Sequence, residues 1–261
     1  MNLTQYKEKK QKELQSFNAQ KRRVHCLECM RPQKACLCHH IEPFETQTQF
    51  CILMHPMEAK KESVGTGRYT NKCLKNCRII VGESFDEDKE VQKILKDESL
   101  YPMILYPGES SINISTTKIN RDNFKGKTPL IFVIDGTWPC AKSMMRDSKS
   151  LHDLPRVSFD NNEESKFSIK HQPAKYCLST IESVYKLISE LEKQGLENVG
   201  AQKETMPHLL SELVKFQIKC ANDPALQTYK RKRSSYKSPS ERKNAKRWEQ
   251  RKICFEDKNY S

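Results

Sequence analysis

The chain has 261 residues, 46 Lys/Arg against 33 Asp/Glu, and 11 cysteines. That length buries a full core and fits one main domain with appendages. No apolar run nears the ~20 residues that cross a bilayer, and the polar, lysine-rich first segment holds no signal-peptide core. Cysteine-rich chains without an export signal fit a reducing, cytoplasmic setting, with thiols used for metal or packing.

The net charge of +13 is segregated. Residues 1–23 carry seven Lys/Arg against two acids, residues 230–252 carry eleven against two, and residues 24–229 hold 27 of each sign. Like-charge blocks of this kind are either solvated arms or contacts for a polyanion. Tyr229, Tyr236 and Trp248 interleave with the C-terminal block, and such rings stack on unpaired bases. The tail lacks the apolar face of an interfacial helix, so nucleic acid is the expected partner and a membrane is not.

In chain order, residues 1–23 read as a basic arm and residues 24–44 as a compact cysteine module. Cys26-x2-Cys29-x6-Cys36-x-Cys38 sets two close pairs of thiols on either side of a loop containing Pro32. Four thiolates suit a tetrahedral zinc ion with no open position, hence a structural one. Buried or disulfide-bonded cysteines are the alternative.

Four short apolar runs follow, at residues 49–54, 78–81, 102–106 and 130–134, each stopped by His-Pro, Gly-Glu, Pro-Gly or Asp-Gly. That is the pattern of parallel strands covered on both faces. Helical spacing occupies residues 68–76, 88–96, 139–150, 179–193 and 208–219, and residues 120–128 read as a loop. The segment 179–193 opens on a hydroxyl cap with Glu182 behind it and lines Ile181, Val184, Tyr185, Ile188 and Leu191 along one side. Cys73 and Cys77, one helical turn apart, read as packing positions. The class is α/β with a mostly parallel sheet, the main domain spanning residues 45–229 and a basic tail residues 230–261.

The most informative tetrapeptide is Asp135-Gly136-Thr137-Trp138, directly after the fourth strand. A carboxylate, a glycine, a hydroxyl and an aromatic stand there where open α/β sheets present ligands. The alternative is an Asp-Gly turn into a helix whose Trp packs in the core.

Further segments keep it company: the four cysteines, His55-Pro56-x-Glu58, Thr66-Gly67-Arg68, Tyr106-Pro107-Gly108-Glu109 and Ser179-Thr180-Ile181-Glu182. In this order, and with Asp135-x-Thr137-Trp138 among them, the chain resembles the DTW-domain proteins, the tRNA-uridine aminocarboxypropyltransferases. It departs from them before Gly67, where Ser63-Val64-Gly65 replaces a Thr-Asn pair, and at Gly108, where the family tends to have Ser. The resemblance implies a SPOUT-like sheet with a knotted C-terminal region, S-adenosylmethionine as donor and a tRNA uridine as acceptor. The 3-amino-3-carboxypropyl group would pass to N3 of the uracil, leaving methylthioadenosine.

It further implies a catalytic element made of Asp135, Thr137 and Trp138, with Asp135 as base or as holder of ribose hydroxyls, and Trp138 as an adenine wall. Arg68, Glu109, Gly136, Ser179 and Thr180 would bind the donor, the two hydroxyls and Arg68 near its carboxylate. Glu58 is a further candidate for its sulfonium or amino group. Lys170, His171 and Gln172 are placed to touch acceptor RNA. Two other functions fit the same residues: a non-catalytic zinc-containing RNA-binding protein, and an S-adenosylmethionine-dependent RNA methyltransferase.

Overall fold

The computed structural model describes residues 24–29, 31–61, 65–170, 174, 176–223 and 236–241, together with Glu8, Gln11 and Lys12. Most of both basic segments, with Tyr229 and Trp248, and residues 171–173 lie outside them. The chain forms two compact units that divide between His39 and His40.

In the first unit a tight hairpin carries the cysteines. Cys26 N–H donates to the Arg31 carbonyl at 2.8 Å and Gln33 N–H to the Val24 carbonyl at 2.7 Å, with His25 and Pro32 bridged antiparallel. A 3-10 turn, Gln33–Ala35, leads into Cys36 and Cys38.

The second unit is built on six strands: β1 (Gln49–Met54), β2 (Cys77–Val81), β3 (Leu100–Leu105), β4 (Ile112–Asn113), β5 (Thr128–Asp135) and β6 (Arg156–Ser158). All pair in parallel, in the order β2-β1-β5-β3-β6-β4. The four apolar runs are β1, β2, β3 and β5. The two-residue β4 and three-residue β6 were not expected, because neither is long enough to show a period and only Val157 of β6 is buried.

Helices join the strands: α1 (Pro56–Lys61), α2 (Thr66–Cys73), α3 (Lys89–Leu95), α4 (Trp138–Arg146), α5 (Thr180–Lys193) and α6 (Thr205–Asn222). The His-Pro pair after β1 was read as a turn only. Instead Pro56 opens α1, a position its fixed φ and missing N–H suit, and His55 Nδ1 accepts the Met57 N–H at 3.2 Å. The predicted helix 139–150 stops at Arg146 and resumes as a 3-10 turn, Lys149–Leu151. Within the predicted loop 120–128 a 3-10 turn, Arg121–Phe124, is capped by the Asn120 side chain and closed by Lys125 at φ 53°.

Alternate residues of the central strands face opposite ways. Cys51, Leu53, Leu130 and Phe132 join Val91 and Ile94 of α3 and Met144 and Met145 of α4 in one core. Helices α2, α5 and α6 pack together over the other face, with α5 contacting β5 and α2 contacting β1. A central sheet between two helical layers results. Among the described residues no helix is long and apolar enough to cross a membrane.

The start of β1 is pinned by one buried acid. Glu197, 4% exposed, accepts Gln47 N–H at 2.8 Å and Thr48 N–H at 2.7 Å. Hydrogen bonds to an ionised acceptor contribute about 1.5–3 kcal/mol, and losing them orphans two donors. Glu197→Ala should therefore lower stability by about 2–4 kcal/mol, read as a shift of the urea midpoint with an unchanged m-value.

Candidate active site at the carboxyl ends of the central strands

A cavity of about 460 Å³ opens where β3, β5 and β6 end. This is the edge where open parallel sheets bind ligands, and the volume is that of a small-molecule site. Strand order makes the place: β1 and β2 run to one side of β5, while β3 and β6 lie on the other. The Met54–Asp135 register puts the last residue of β5 level with the end of β1.

That last residue is Asp135, whose side chain lines the cavity while the residue is only 5% exposed. Its Oδ1 accepts a hydrogen bond from Thr180 Oγ1 at 2.5 Å. Its Oδ2 is buried and has no hydrogen-bond partner among the described residues. Gly67, in the first turn of α2, lies against the carboxylate so closely that a Cβ there would overlap it. Burial pushes the Asp135 carboxyl up to about 6, and the Glu58 charge adds to the rise. The Thr180 hydrogen bond and the Lys170 and Arg68 charges pull it back. Near neutrality the group is ionised yet basic enough to take a proton.

Gly136 follows in the tight turn from β5 into α4, where a Cβ would stand 3.3 Å from Cys140 Cβ and 3.4 Å from His55 Cβ. Thr137 is the N-cap of α4: its Oγ1 accepts Cys140 N–H at 3.5 Å and donates to Cys140 Sγ at 3.0 Å. Trp138, half-buried as the first residue of α4, lines the cavity, as do Tyr106, Phe159, Phe167 and Tyr176. The site is thus a carboxylate floor within aromatic walls.

The hydroxyls at the start of α5 are both engaged. Ser179 Oγ donates to Glu182 Oε2 at 2.5 Å, and Ser179 N–H to the same oxygen at 2.8 Å. Glu182 also accepts from Ser165 Oγ at 2.8 Å and Lys166 N–H at 2.7 Å. It therefore anchors the loop between β6 and α5, a wall of the cavity, to the start of α5. The capping pattern announced Glu182 as a local cap and hid this second use.

Arg68 and Glu109 do not join the group. Arg68 is exposed and donates to the Ala59 carbonyl at 2.5 Å, and Glu109 is exposed in the turn after β3; neither lines the cavity. Two groups weighed lightly in the sequence do line it. Glu58 of α1, 6% exposed, is held by Lys170 Nζ, 3.2 Å from both carboxylate oxygens. The pairing spans 112 residues, so no local spacing announces it. Gly67 was seen only as part of a motif; its contact with Asp135 needs the packed fold.

In the first unit the four thiols of Cys26, Cys29, Cys36 and Cys38 lie within 4.8 Å of one another. Cys26 and Cys38 Sγ are 4.0 Å apart and Cys29 and Cys36 Sγ 3.9 Å. Disulfides need about 2.05 Å, so these are free thiols. Metal–sulfur bonds of about 2.3 Å in a tetrahedron put sulfurs about 3.8 Å apart, which this cluster matches. Cys38 N–H also donates to Cys36 Sγ at 3.4 Å. The donor set fits a four-coordinate metal.

Comparison with known proteins agrees with the geometry. The DTW domain model matches residues 23–218. The chain is 30% identical over 202 residues to tRNA-uridine aminocarboxypropyltransferase 2 of Macaca fascicularis, covering 76% of this chain and 65% of the relative. It is 31% identical over 202 residues to the Mus musculus protein of that name, covering 76% and 64%. With the Drosophila melanogaster protein it shares 30% over 204 residues, covering 76% of each. The chain thus spans 65% and 64% of the length of the first two relatives. No solved structure matches it. With three quarters of its length under one family model and its signature residues gathered in one cavity, the chain belongs to the DTW-domain family.

Proposed function

We propose that the protein is a tRNA-uridine aminocarboxypropyltransferase that uses S-adenosylmethionine and modifies N3 of a tRNA uridine. The observation that carries this is Asp135: a desolvated carboxylate with one oxygen fixed by Thr180 and the other unpartnered among the described residues, in an aromatic-walled cavity. The names of the relatives support the same chemistry.

The donor supplies an electrophilic carbon bonded to a sulfonium. The N3–C bond forms as the C–S bond breaks, sulfur keeps the bonding electrons in methylthioadenosine, and the N3 proton passes to Asp135. The rings of Trp138, Tyr106 and Tyr176 offer faces for the two flat bases, which also excludes water. N3 lies on the pairing edge, so the uridine must arrive unpaired or extruded. Gly136 and Thr137 allow close approach of the backbone.

The wider assignments follow. The four cysteines hold a structural zinc that does no chemistry. Residues 1–23 and 230–261 are basic arms that engage tRNA phosphates, residues 24–44 the metal module and residues 45–229 the catalytic domain. The protein works in the cytoplasm, and its parallel sheet carries the SPOUT-like knot that the resemblance implies.

Purified protein given S-adenosylmethionine and unmodified tRNA should release methylthioadenosine; release of S-adenosylhomocysteine instead would mean methyl transfer. Asp135→Asn should lower that release about 100- to 10,000-fold. A fully active variant would remove Asp135 from the mechanism. The same change should stabilise the fold. Because the folded pKa of about 6 lies above the ordinary value of 3.8, the native state binds the proton more tightly, and wild-type stability falls as pH rises from about 3.8 to about 6. Asp135→Asn should be the more stable by up to about 3 kcal/mol above pH 6 and show no advantage near pH 3, read by thermal melts.

Since the base must be ionised, kcat/KM should rise with pH through about 6 and then level. That limb should be missing from the residual activity of Asp135→Asn. For the metal, elemental analysis should find one zinc per chain. Cys36→Ser or a chelator should raise hydrogen exchange across residues 24–38 and leave the amides of α5 protected, since binding energies of ~10–16 kcal/mol hold such modules folded.

A further inference from the structure

One charged pair in the cavity has no part in proton transfer. Glu58 projects from the first turn of α1 with its side chain 8% exposed, and Lys170, in the loop between β6 and α5, meets it with a side chain 38% exposed. A buried carboxylate costs several kcal/mol unless it is paired, and Lys170 compensates the Glu58 charge. Yet the pair stands in the wall of a ligand site instead of in the core, in the same field as Asp135, whose carboxyl feels both charges.

The other groups that the sequence offered for the amino-acid end of the donor are engaged elsewhere. Ser179 Oγ donates to Glu182, Thr180 Oγ1 donates to Asp135, and Arg68 donates to Ala59 outside the cavity lining. Lys170 is the cation that lines the cavity among the described residues.

We propose that Glu58 and Lys170 are the subsite for the zwitterionic end of the donor: the bridge opens, Lys170 takes the α-carboxylate and Glu58 the α-ammonium. This rests on the aminocarboxypropyltransferase reading. Only a ligand end with both charges replaces both partners at once. A singly charged end leaves either Glu58 or Lys170 without its counter-charge, which costs affinity. The pair therefore selects for an intact amino-acid end and leaves Asp135 to the acceptor. Partial exposure gives Lys170 room to swing from Glu58 to the ligand, whereas the Glu58 side chain stays fixed on α1.

Calorimetry on the full chain tests it with three probes: S-adenosylmethionine, its decarboxylated form, which keeps the amine, and methylthioadenosine, which has neither group. Wild-type protein should bind S-adenosylmethionine roughly 10- to 100-fold more tightly than the decarboxylated form. Lys170→Met should abolish that preference while methylthioadenosine binding stays within about threefold of wild type. Glu58→Gln should weaken both amine-bearing probes and spare methylthioadenosine. If Lys170→Met loses methylthioadenosine as well, the double variant Glu58→Gln/Lys170→Met, which removes both charges together, should recover it without recovering the preference. A preference retained in either variant, or absent from wild type, overturns the subsite. Wild-type protein that binds neither S-adenosylmethionine nor methylthioadenosine overturns the transferase reading with it.

Discussion

A carboxylate taken out of water at the end of β5 sets the terms for the structure around it. Asp135 is the last residue of a central strand, pressed on one side by the bare Cα of Gly67 and held on the other by the Thr180 hydroxyl. Neither neighbour is local in the chain, so α2 and α5 must pack correctly before the carboxylate has its environment. The result is an acid whose pKa is raised by desolvation and trimmed by one hydrogen bond and two cations. Such a group is costly to bury, and among the described residues its Oδ2 finds no partner. Carboxyl groups perturbed by burial in a cavity cluster at functional sites, which is the ground for the role proposed for Asp135.

Around that floor the remaining acids divide the labour. Glu182 gathers Ser165, Lys166 and Ser179 and so fixes one wall to the start of α5. Glu58 meets Lys170 across the cavity. Glu197 ties down the start of β1, the strand next to β5. Three carboxylates of one chemical type thus serve as loop anchor, ion-pair partner and structural acceptor, and surroundings alone separate them. The four cysteines belong to a unit of their own, and their donor set fits a four-coordinate metal.

The sequence by itself determined the parallel sheet, the strand that ends in Asp135, the capped helix α5 and the convergence of four cysteines. Each rests on a local rule: runs of apolar residues ended by turn formers, a hydroxyl three places before a glutamate, thiols at short spacing. It left β4, β6 and α1 unseen, since two or three residues make no apolar run and the six residues of α1, Pro-Met-Glu-Ala-Lys-Lys, show neither an apolar run nor a full helical period. At the site, the tetrapeptide Asp135 to Trp138 and the pair Ser179 and Thr180 were legible as motifs, and they do meet in one cavity. What only the tertiary structure decided is which groups touch. It engaged Ser179 with Glu182, turned Thr180 toward Asp135, left Arg68 and Glu109 outside, and joined Glu58 to Lys170 across 112 residues. Side-chain contacts at such separations are set by the packing of helices on a sheet, and no spacing rule along the chain encodes them.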